Sequence, residues 1–253
     1  MTAQQPLRGD VAVLVPAAGM GSRLGPGTPK ALREIDGVPL LVHAVRRVCR
    51  ASGVGCVVVA APPGRAVEVR ALIAAEIPDR VTLLVVDGGP TRGESVFAAL
   101  SATPAHFPVI LVHDAARAFA PTDLVERVAA AVRDGHDAVI PVLAVVDTVK
   151  EVDASGHVVR SLDRTALRAV QTPQGFRREV LLAAHHAGGA PNGVTDDAGL
   201  VERLGVAVFC VPGADEALKI TRSADLALAH TRLRAARAER APSSGAPGRT
   251  LTS

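Results

Sequence analysis

The sequence has 253 residues, 48% of them hydrophobic, which is enough for one large domain with its own core. The net charge is only +3, and with no Trp, no Tyr and 5 Phe the chain lacks the aromatic surfaces on which single-stranded nucleic acid stacks, so no nucleic-acid partner is expected. The 3 cysteines lack metal-site spacing and no apolar run is long enough to cross a membrane, so we expect a cytoplasmic protein without signal peptide or membrane span.

The first part of the chain alternates short β-branched runs with alanine-rich amphipathic segments. The strands that this pattern predicts are 11–15, 56–61, 81–86, 108–113 and 138–145. The predicted helices are 39–52, 65–77, 93–102 and 122–134. Strands that are apolar throughout are buried on both faces, so the sequence predicts a doubly wound α/β domain with a mostly parallel sheet and helices on each side.

This alternation stops at Asp147. The segments 148–152 and 157–160 flank the turn sequence Asp153–Gly156, which predicts a β-hairpin. An isolated hairpin is marginally stable in water, so we expect residues 147–162 to protrude as an arm that packs on a second subunit.

The remaining elements close the domain. We expect a helix near 177–187 and another opening at Thr195, where Asp196 and Asp197 would act as caps. A strand at 206–211 and a last helix from Ser223 follow. The sequence thus predicts a single domain over 11–235, between disordered ends at 1–10 and 236–253.

A glycine-rich loop follows the first strand, with the sequence PAAGMGSRLGPGTPK over residues 16–30. It is not a P-loop, because Lys30 is followed by alanine rather than by Ser or Thr. A dinucleotide fingerprint is also disfavoured, because Leu24 replaces the third glycine and no acid follows the second strand. The spacing instead places Arg23 and Lys30 at the mouth of the loop, which suits a triphosphate under attack.

Two further loops should meet this one, because ligands bind beyond the carboxyl ends of strands in open α/β sheets. Residues 87–95 contain a glycine pair and Ser95, whose hydroxyl lies at a helix start. Residues 113–117 contain Asp114, a carboxylate suited to Mg²⁺ beside phosphate oxygens. His113 is expected to be buried rather than catalytic.

Several segments together resemble a known family. They are PAAGMGSRLGPGTPKAL, DGG with ESV, VHDAARAF, DTVK, LDR, AVQTPQGF and LKIT. Their order and spacing are similar to those of the bacterial 2-C-methyl-D-erythritol 4-phosphate cytidylyltransferases, from Val11 to the helix after Ser223. The resemblance implies a Rossmann-like nucleotidyltransferase fold and a homodimer formed through the arm. It also implies that CTP and 2-C-methyl-D-erythritol 4-phosphate react to 4-CDP-2-C-methyl-D-erythritol and pyrophosphate, in the non-mevalonate isoprenoid pathway.

The same resemblance implies roles for individual positions. The catalytic cations would be Arg23, Lys30 and Lys219, with Asp114 holding Mg²⁺. The residues that would receive the nucleotide are Ala17, Ala18, Gly19, Gly89, Ser95, Asp114 and Ala115. The residues that would bind the acceptor phosphate are Arg117, Thr148, Arg164 and Thr172.

Three alternatives stay open on the sequence alone. The nearest is a cytidylyltransferase of the same fold acting on ribitol 5-phosphate or another polyol or sugar phosphate. A nucleotide-sensing module without catalysis is a second, although Arg23, Lys30, Asp114 and Lys219 together exceed what binding needs. An NAD-dependent oxidoreductase is the third, and the missing acid after Ala61 weakens it.

Overall fold

The structure is a computed structural model and describes residues 9–19, 28–188 and 195–240. Its centre is a sheet of eight strands, and two further two-stranded ladders lie outside this sheet. In chain order the strands are β1 (Val11–Pro16), β2 (Glu34–Ile35), β3 (Val38–Pro39), β4 (Val54–Ala61), β5 (Thr82–Asp87), β6 (Val109–Val112), β7 (Ala138–Ala144), β8 (Lys150–Val152), β9 (Val158–Ser161), β10 (Arg168–Val170), β11 (Gln174–Arg177) and β12 (Val208–Pro212).

The helices cover both faces of this sheet. They are α1 (Leu40–Val48), α2 (Ala66–Ile73), α3 (Arg92–Ala102), α4 (Thr122–Arg133), α5 (Arg178–His186), α6 (Asp197–Glu202) and α7 (Ser223–Arg240). The alternation along β1 shows how they are distributed, since successive side chains of a strand point to opposite faces. Val13 packs in a core with α1, α2 and α4, whereas Leu14 packs in a second core with α3, α5 and α6. The predicted α/β architecture with helices on both faces is confirmed.

The strand order is β5-β4-β1-β6-β11-β7, and β7 also pairs with β10 and β12. The ladders among β5, β4, β1 and β6 are parallel. Strand β11, which the sequence analysis did not predict, lies between β6 and β7 and is antiparallel to both. The sheet is therefore mixed, with a parallel half that carries the loops after β1, β5 and β6 on one edge.

Strand β11 lacks an apolar run because one of its buried side chains is polar. Phe176 is fully buried in the core, but Gln174 is buried as well. The Gln174 amide donates to Asp196 Oδ2 at 2.6 Å and accepts from the Ala198 N–H at 3.2 Å. Both ends of the side chain are thus hydrogen-bonded, which is the condition for burying an amide at little cost.

The predicted hairpin forms from β8 and β9, with Lys150 opposite Ser161. Every residue of the two strands is exposed, including Val152, Val158 and Val159, whose exposed fractions lie between 55% and 59%. Within the described part of the chain, the hairpin pairs with no strand of the central sheet. In a single chain these valine side chains therefore remain in water.

The two chain ends were predicted to be disordered from 236 onward and before residue 11. Residues 1–8 and 241–253 lie outside the described residues. Asp10 forms an ion pair with Arg133, and α7 continues to Arg240. Among the described residues, no helix combines the length and apolarity that a membrane crossing requires.

Candidate active site

A cleft of about 550 Å³ opens at the carboxyl ends of β1, β5 and β6. Ligands of open α/β sheets bind at this position, beyond the carboxyl ends of the strands. The predicted site residues that line it are Ala17, Ala18, Gly19, Lys30, Gly89, Ser95, Asp114, Ala115 and Lys219. Arg23, the remaining predicted catalytic cation, lies outside the described residues.

The floor of the cleft is closely packed backbone. The Ala17 N–H donates to the carbonyl of Ala60 at 2.8 Å, and the Gly88 N–H donates to that of Ala61 at 2.7 Å. A Cβ on Gly88 would lie 2.6 Å from the Cβ of Ala18 and 2.9 Å from Ser95 Oγ. The glycine is therefore required by close approach, since its backbone does not adopt a left-handed conformation.

Helix α3 begins at one wall of the cleft. Thr91 caps it in a reciprocal arrangement: its hydroxyl accepts from the Glu94 N–H at 3.2 Å, and the Glu94 carboxylate accepts from the Thr91 N–H at 2.8 Å. Ser95 is buried in the first turn and donates to the carbonyl of Thr91 at 2.9 Å. The positive end of the helix thus faces the cleft, which favours an anionic ligand.

The charged part of the cleft is built around Asp114. Lys219 Nζ lies 2.7 Å from Asp114 Oδ2, and Arg92 Nε lies 3.1 Å from Asp114 Oδ1. Arg92 also binds Asp197, with 2.7 Å between Nη1 and Oδ2. Two carboxylates and two cations therefore form one connected group, of which Lys219 is the most exposed member, at 42%.

These contacts determine the ionisation of the two carboxylates. Burial alone would raise the pKa of Asp114, but Arg92 and Lys219 outweigh it and hold that pKa well below the usual range. The pKa of Asp197 is likewise lowered, because Arg92 and His185 overcome the effect of burial. Both groups are therefore charged at neutral pH.

The loop that carries Asp114 is fixed by its neighbours. The His113 N–H donates to the carbonyl of Leu14 at 2.8 Å, and the Asp114 N–H donates to the hydroxyl oxygen of Thr172 at 3.0 Å. Burial lowers the pKa of His113 to about 4, so its ring is neutral, and Nδ1 lies 3.2 Å from Thr172 Oγ1. His113 is buried as expected, and it does not line the cleft.

Two of the predicted acceptor residues, Arg117 and Thr172, make contacts within the domain. Thr172 supports the Asp114 loop, as described. Arg117 is buried and donates to the carbonyl of Ala217 at 2.6 Å and to that of Val170 at 3.1 Å. Neither side chain lines the cleft in this chain. Arg117 thereby fixes the segment before Lys219. The segment after it is fixed by the Ile220 N–H, which donates to the carbonyl of Ala116 at 2.9 Å.

The other two predicted acceptor residues flank the hairpin of β8 and β9 in the sequence. Thr148 and Arg164 do not line the cleft of their own chain, and Arg164 is exposed. The Arg164 guanidinium donates to the carbonyl of Val146. The structure therefore separates the predicted residues into a nucleotide-sized cleft and a group outside it.

Sequence reasoning missed Arg92 and misassigned Asp197. Asp196 is the cap of α6, with its carboxylate accepting from the Gly199 N–H at 3.1 Å, whereas Asp197 is buried against Arg92. The signal available for Arg92 was its position one residue after a capping threonine within the glycine-rich 87–95 loop. Its partner is 105 residues away, so spacing alone does not reveal the pair.

A magnesium ion suits this site in one specific way. Among the described residues no group of three or more His, Cys, Asp and Glu side chains could enclose a metal. Magnesium, however, commonly takes one or two carboxylates and completes its shell with water and substrate phosphates. Asp114 fits this mode because it is ionised and lines the cleft.

A doubly wound sheet with a glycine-rich loop, a helix start and paired cations at its carboxyl edge defines a nucleotide-binding α/β protein of the nucleotidyltransferase type. Residues 11–235 match the family described as 2-C-methyl-D-erythritol 4-phosphate cytidylyltransferase. The chain belongs to this family.

Individual relatives carry the name of the same enzyme. Proteins of that name from Frankia casuarinae and Streptomyces coelicolor are 55% and 51% identical, over 88% and 86% of this chain and 81% and 83% of theirs. A crystal structure of the enzyme of that name from Thermus thermophilus is 37% identical with a TM-score of 0.69, covering 88% of this chain and 98% of that one. The 4-diphosphocytidyl-2C-methyl-D-erythritol synthase from Anaerococcus prevotii is 26% identical with a TM-score of 0.77, covering 90% and 99%.

Proposed function

We propose that the protein transfers a cytidylyl group from CTP to 2-C-methyl-D-erythritol 4-phosphate and releases pyrophosphate, a step of the non-mevalonate isoprenoid pathway. Family membership supports the reaction and the two substrates. The observation that carries the proposal is the cleft at the carboxyl edge of the sheet, where Lys219 and Arg92 contact the ionised Asp114 and Lys30 lines the same space. A nucleoside triphosphate matches both the size of the cleft and the excess of cations that line it.

The chemistry needs positioning and charge rather than a base. An oxygen of the acceptor phosphate attacks the α-phosphorus of CTP, a new phosphorus–oxygen bond forms, and the bond to the pyrophosphate oxygen breaks on the opposite side. The attacking phosphate is already ionised, so no proton has to be removed. The buried, neutral His113 is consistent with this, because it does not line the cleft.

Three cations have distinct parts in this proposal. Lys30 follows the glycine-rich loop and lines the cleft, where it would stabilise charge on the leaving pyrophosphate. Lys219 approaches from the opposite segment and would contact the α-phosphate, exchanging its contact with Asp114 for one with the substrate. Arg23 is proposed to act beside Lys30 on the strength of the family motif.

We also propose that the reaction uses Mg²⁺ and that Asp114 holds it. The ion would neutralise phosphate charge when bound. Asp114 would hold the ion, because it is an ionised carboxylate that lines the cleft in which the phosphates are proposed to bind. Backbone around Ala17–Gly19 and Gly89, together with Ser95, would receive the cytosine and ribose.

The acceptor side of the site is proposed to require a homodimer. Thr148 and Arg164 lie outside the cleft of their own chain, beside a hairpin whose valines are exposed. Val146, close to Thr148, is 78% exposed. Burying these side chains against a second copy would remove apolar surface from water and would bring Thr148 and Arg164 toward the partner's cleft. The free buried thiols of Cys49 and Cys56 support a cytoplasmic location, where thiols stay reduced.

Pyrophosphate release by the purified protein with Mg²⁺ tests the function. CTP, ATP, GTP and UTP are each supplied with 2-C-methyl-D-erythritol 4-phosphate or with ribitol 5-phosphate. We expect release only from CTP with methylerythritol phosphate. If CTP releases pyrophosphate with ribitol 5-phosphate but not with methylerythritol phosphate, the acceptor assignment is wrong. If a folded protein releases pyrophosphate with no pair, a nucleotide-binding module is favoured.

A further inference from the structure

Arg92 lies between two carboxylates that come from different parts of the chain. Its Nε is 3.1 Å from Asp114 Oδ1, and its Nη1 is 2.7 Å from Asp197 Oδ2. Asp114 lines the cleft, whereas Asp197 is the first residue of α6, is 1% exposed and does not line it. The proposed reaction gives no direct task to Asp197, so the reason for this buried charge has to be sought in Arg92.

Asp197 is enclosed by buried side chains, and its hydrogen-bonded ion pair is the one with Arg92. Its Oδ1 lies 3.3 Å from His185 Nε2 without forming a hydrogen bond, and this histidine is itself only 6% exposed. The His185 ring stacks on Phe97 of α3 with 5.7 Å between ring centroids. Helices α3, α5 and α6 thus enclose the carboxylate. A buried ion of this kind is stable only when a partner of opposite charge compensates it, and that partner is Arg92.

We propose that Arg92 is a positioning residue, anchored by Asp197, which fixes Asp114 Oδ1 so that Asp114 Oδ2 faces Lys219 and the nucleotide. This inference rests on the proposed cytidylyl transfer. Arginine suits the task because its planar guanidinium donates in two directions at a fixed angle. A lysine at the same position would carry the charge but could not bridge both carboxylates with the same geometry.

The arrangement also gives the two cations that contact Asp114 different roles. Lys219 is 42% exposed on a flexible four-carbon side chain, so it can leave Asp114 for a phosphate when the nucleotide binds. Arg92 is 29% exposed and has a second, buried partner, so it stays. The carboxylate keeps one fixed contact and one exchangeable contact.

Arg92→Lys and Asp197→Asn test the proposal, together with the double variant. The steady-state kcat and KM for CTP are measured with methylerythritol phosphate, and CTP affinity and stoichiometry are measured by calorimetry without acceptor. We expect Arg92→Lys to lower kcat about 10-fold or more, as for a lost charge-assisted hydrogen bond, while the Kd for CTP changes less than about threefold. The double variant should be no slower than Arg92→Lys alone, because Asp197 acts through Arg92.

Arg46→Lys is the matched control. Arg46 forms a two-point ion pair with Glu76, at 2.5 Å and 2.6 Å, and does not line the cleft. Its replacement should leave kcat unchanged although a two-point contact with a carboxylate is lost here as well. This separates an effect on the reaction from a general loss of stability.

Several results would overturn the positioning role. Unchanged kcat in Arg92→Lys is one, and additive losses in the double variant are another. A CTP affinity that falls by the same factor as kcat would make Arg92 a nucleotide ligand instead, and a fall in binding stoichiometry with unchanged kcat per bound site would make it purely structural. An inactive wild-type protein would refute the proposed function itself, whereas an active wild type with an equally active Arg92→Lys refutes only this inference.

Discussion

Replacing Gly88 with alanine tests how tightly the floor of the cleft is built. The new Cβ would lie 2.6 Å from the Cβ of Ala18, 2.9 Å from Ser95 Oγ and 3.0 Å from the carbonyl oxygen of Ala61. These separations are shorter than van der Waals contact, and Ala61 cannot retreat because it belongs to the buried strand β4. We expect the free energy of unfolding to fall by about 1–3 kcal/mol, as for other overpacked sites.

The same substitution should weaken CTP binding, because Ala18 and Ser95 both line the cleft and both would lie too close to the new Cβ. Each ~1 kcal/mol of this strain that the nucleotide must reverse weakens binding about fivefold. Denaturant unfolding measures the first effect and calorimetry the second. Gly93→Ala is the matched control: it lies in α3, its Cβ would meet nothing within 4 Å, and alanine there should stabilise the helix slightly. Wild-type stability and CTP affinity in Gly88→Ala would refute the packing argument.

Three further predictions concern single side chains. Lys219→Ala should lower kcat about 100-fold in the pyrophosphate assay, as expected for a lost electrostatic contact in the transition state, and unimpaired turnover would contradict that role. Arg164→Ala should raise KM for the acceptor and leave KM for CTP unchanged, whereas Arg160→Ala in the adjacent hairpin should change neither; equal kinetics for both variants would remove Arg164 from the site. A thiol reagent should modify the exposed Cys210 first, because burial raises the pKa of Cys49 to about 12, and equally fast labelling of both would contradict the predicted burial.

The fold was predictable where hydrophobic pattern alone determines an element. Strands β1, β4 and β6 are continuous apolar runs, and each lies within one residue or two of its predicted position. Strand β11 was not predictable in this way, because Gln174 depends on Asp196 and Ala198, which lie more than twenty residues further along the chain. Cys210 lies in an apolar run, but β12 lies at the edge of the sheet beside β7, and the residue is exposed.

The candidate site likewise contains residues that local sequence motifs predict and residues that they do not. Lys30, Asp114 and Lys219 follow recognisable local motifs, and the structure brings all three to one cleft. The contacts of Arg92 and Arg117 were not predictable, because the function of an arginine depends on what it reaches rather than on its neighbours in sequence. In a chain where arginine greatly outnumbers lysine, composition does not distinguish an arginine that holds the backbone in place from one that binds a substrate.

The cleft takes its charged side chains from widely separated parts of the chain: Lys30 near the beginning, Asp114 in the middle and Lys219 close to the end. Bringing such distant segments together costs loop-closure entropy, and contacts of this kind generally form late in folding. Only a molecule in which the 217–221 segment has docked on the central sheet has a complete site. CTP binding should therefore report completed folding, and a bound nucleotide should stabilise the whole molecule by mass action, so that ligand supply during expression would influence how much protein reaches its final form.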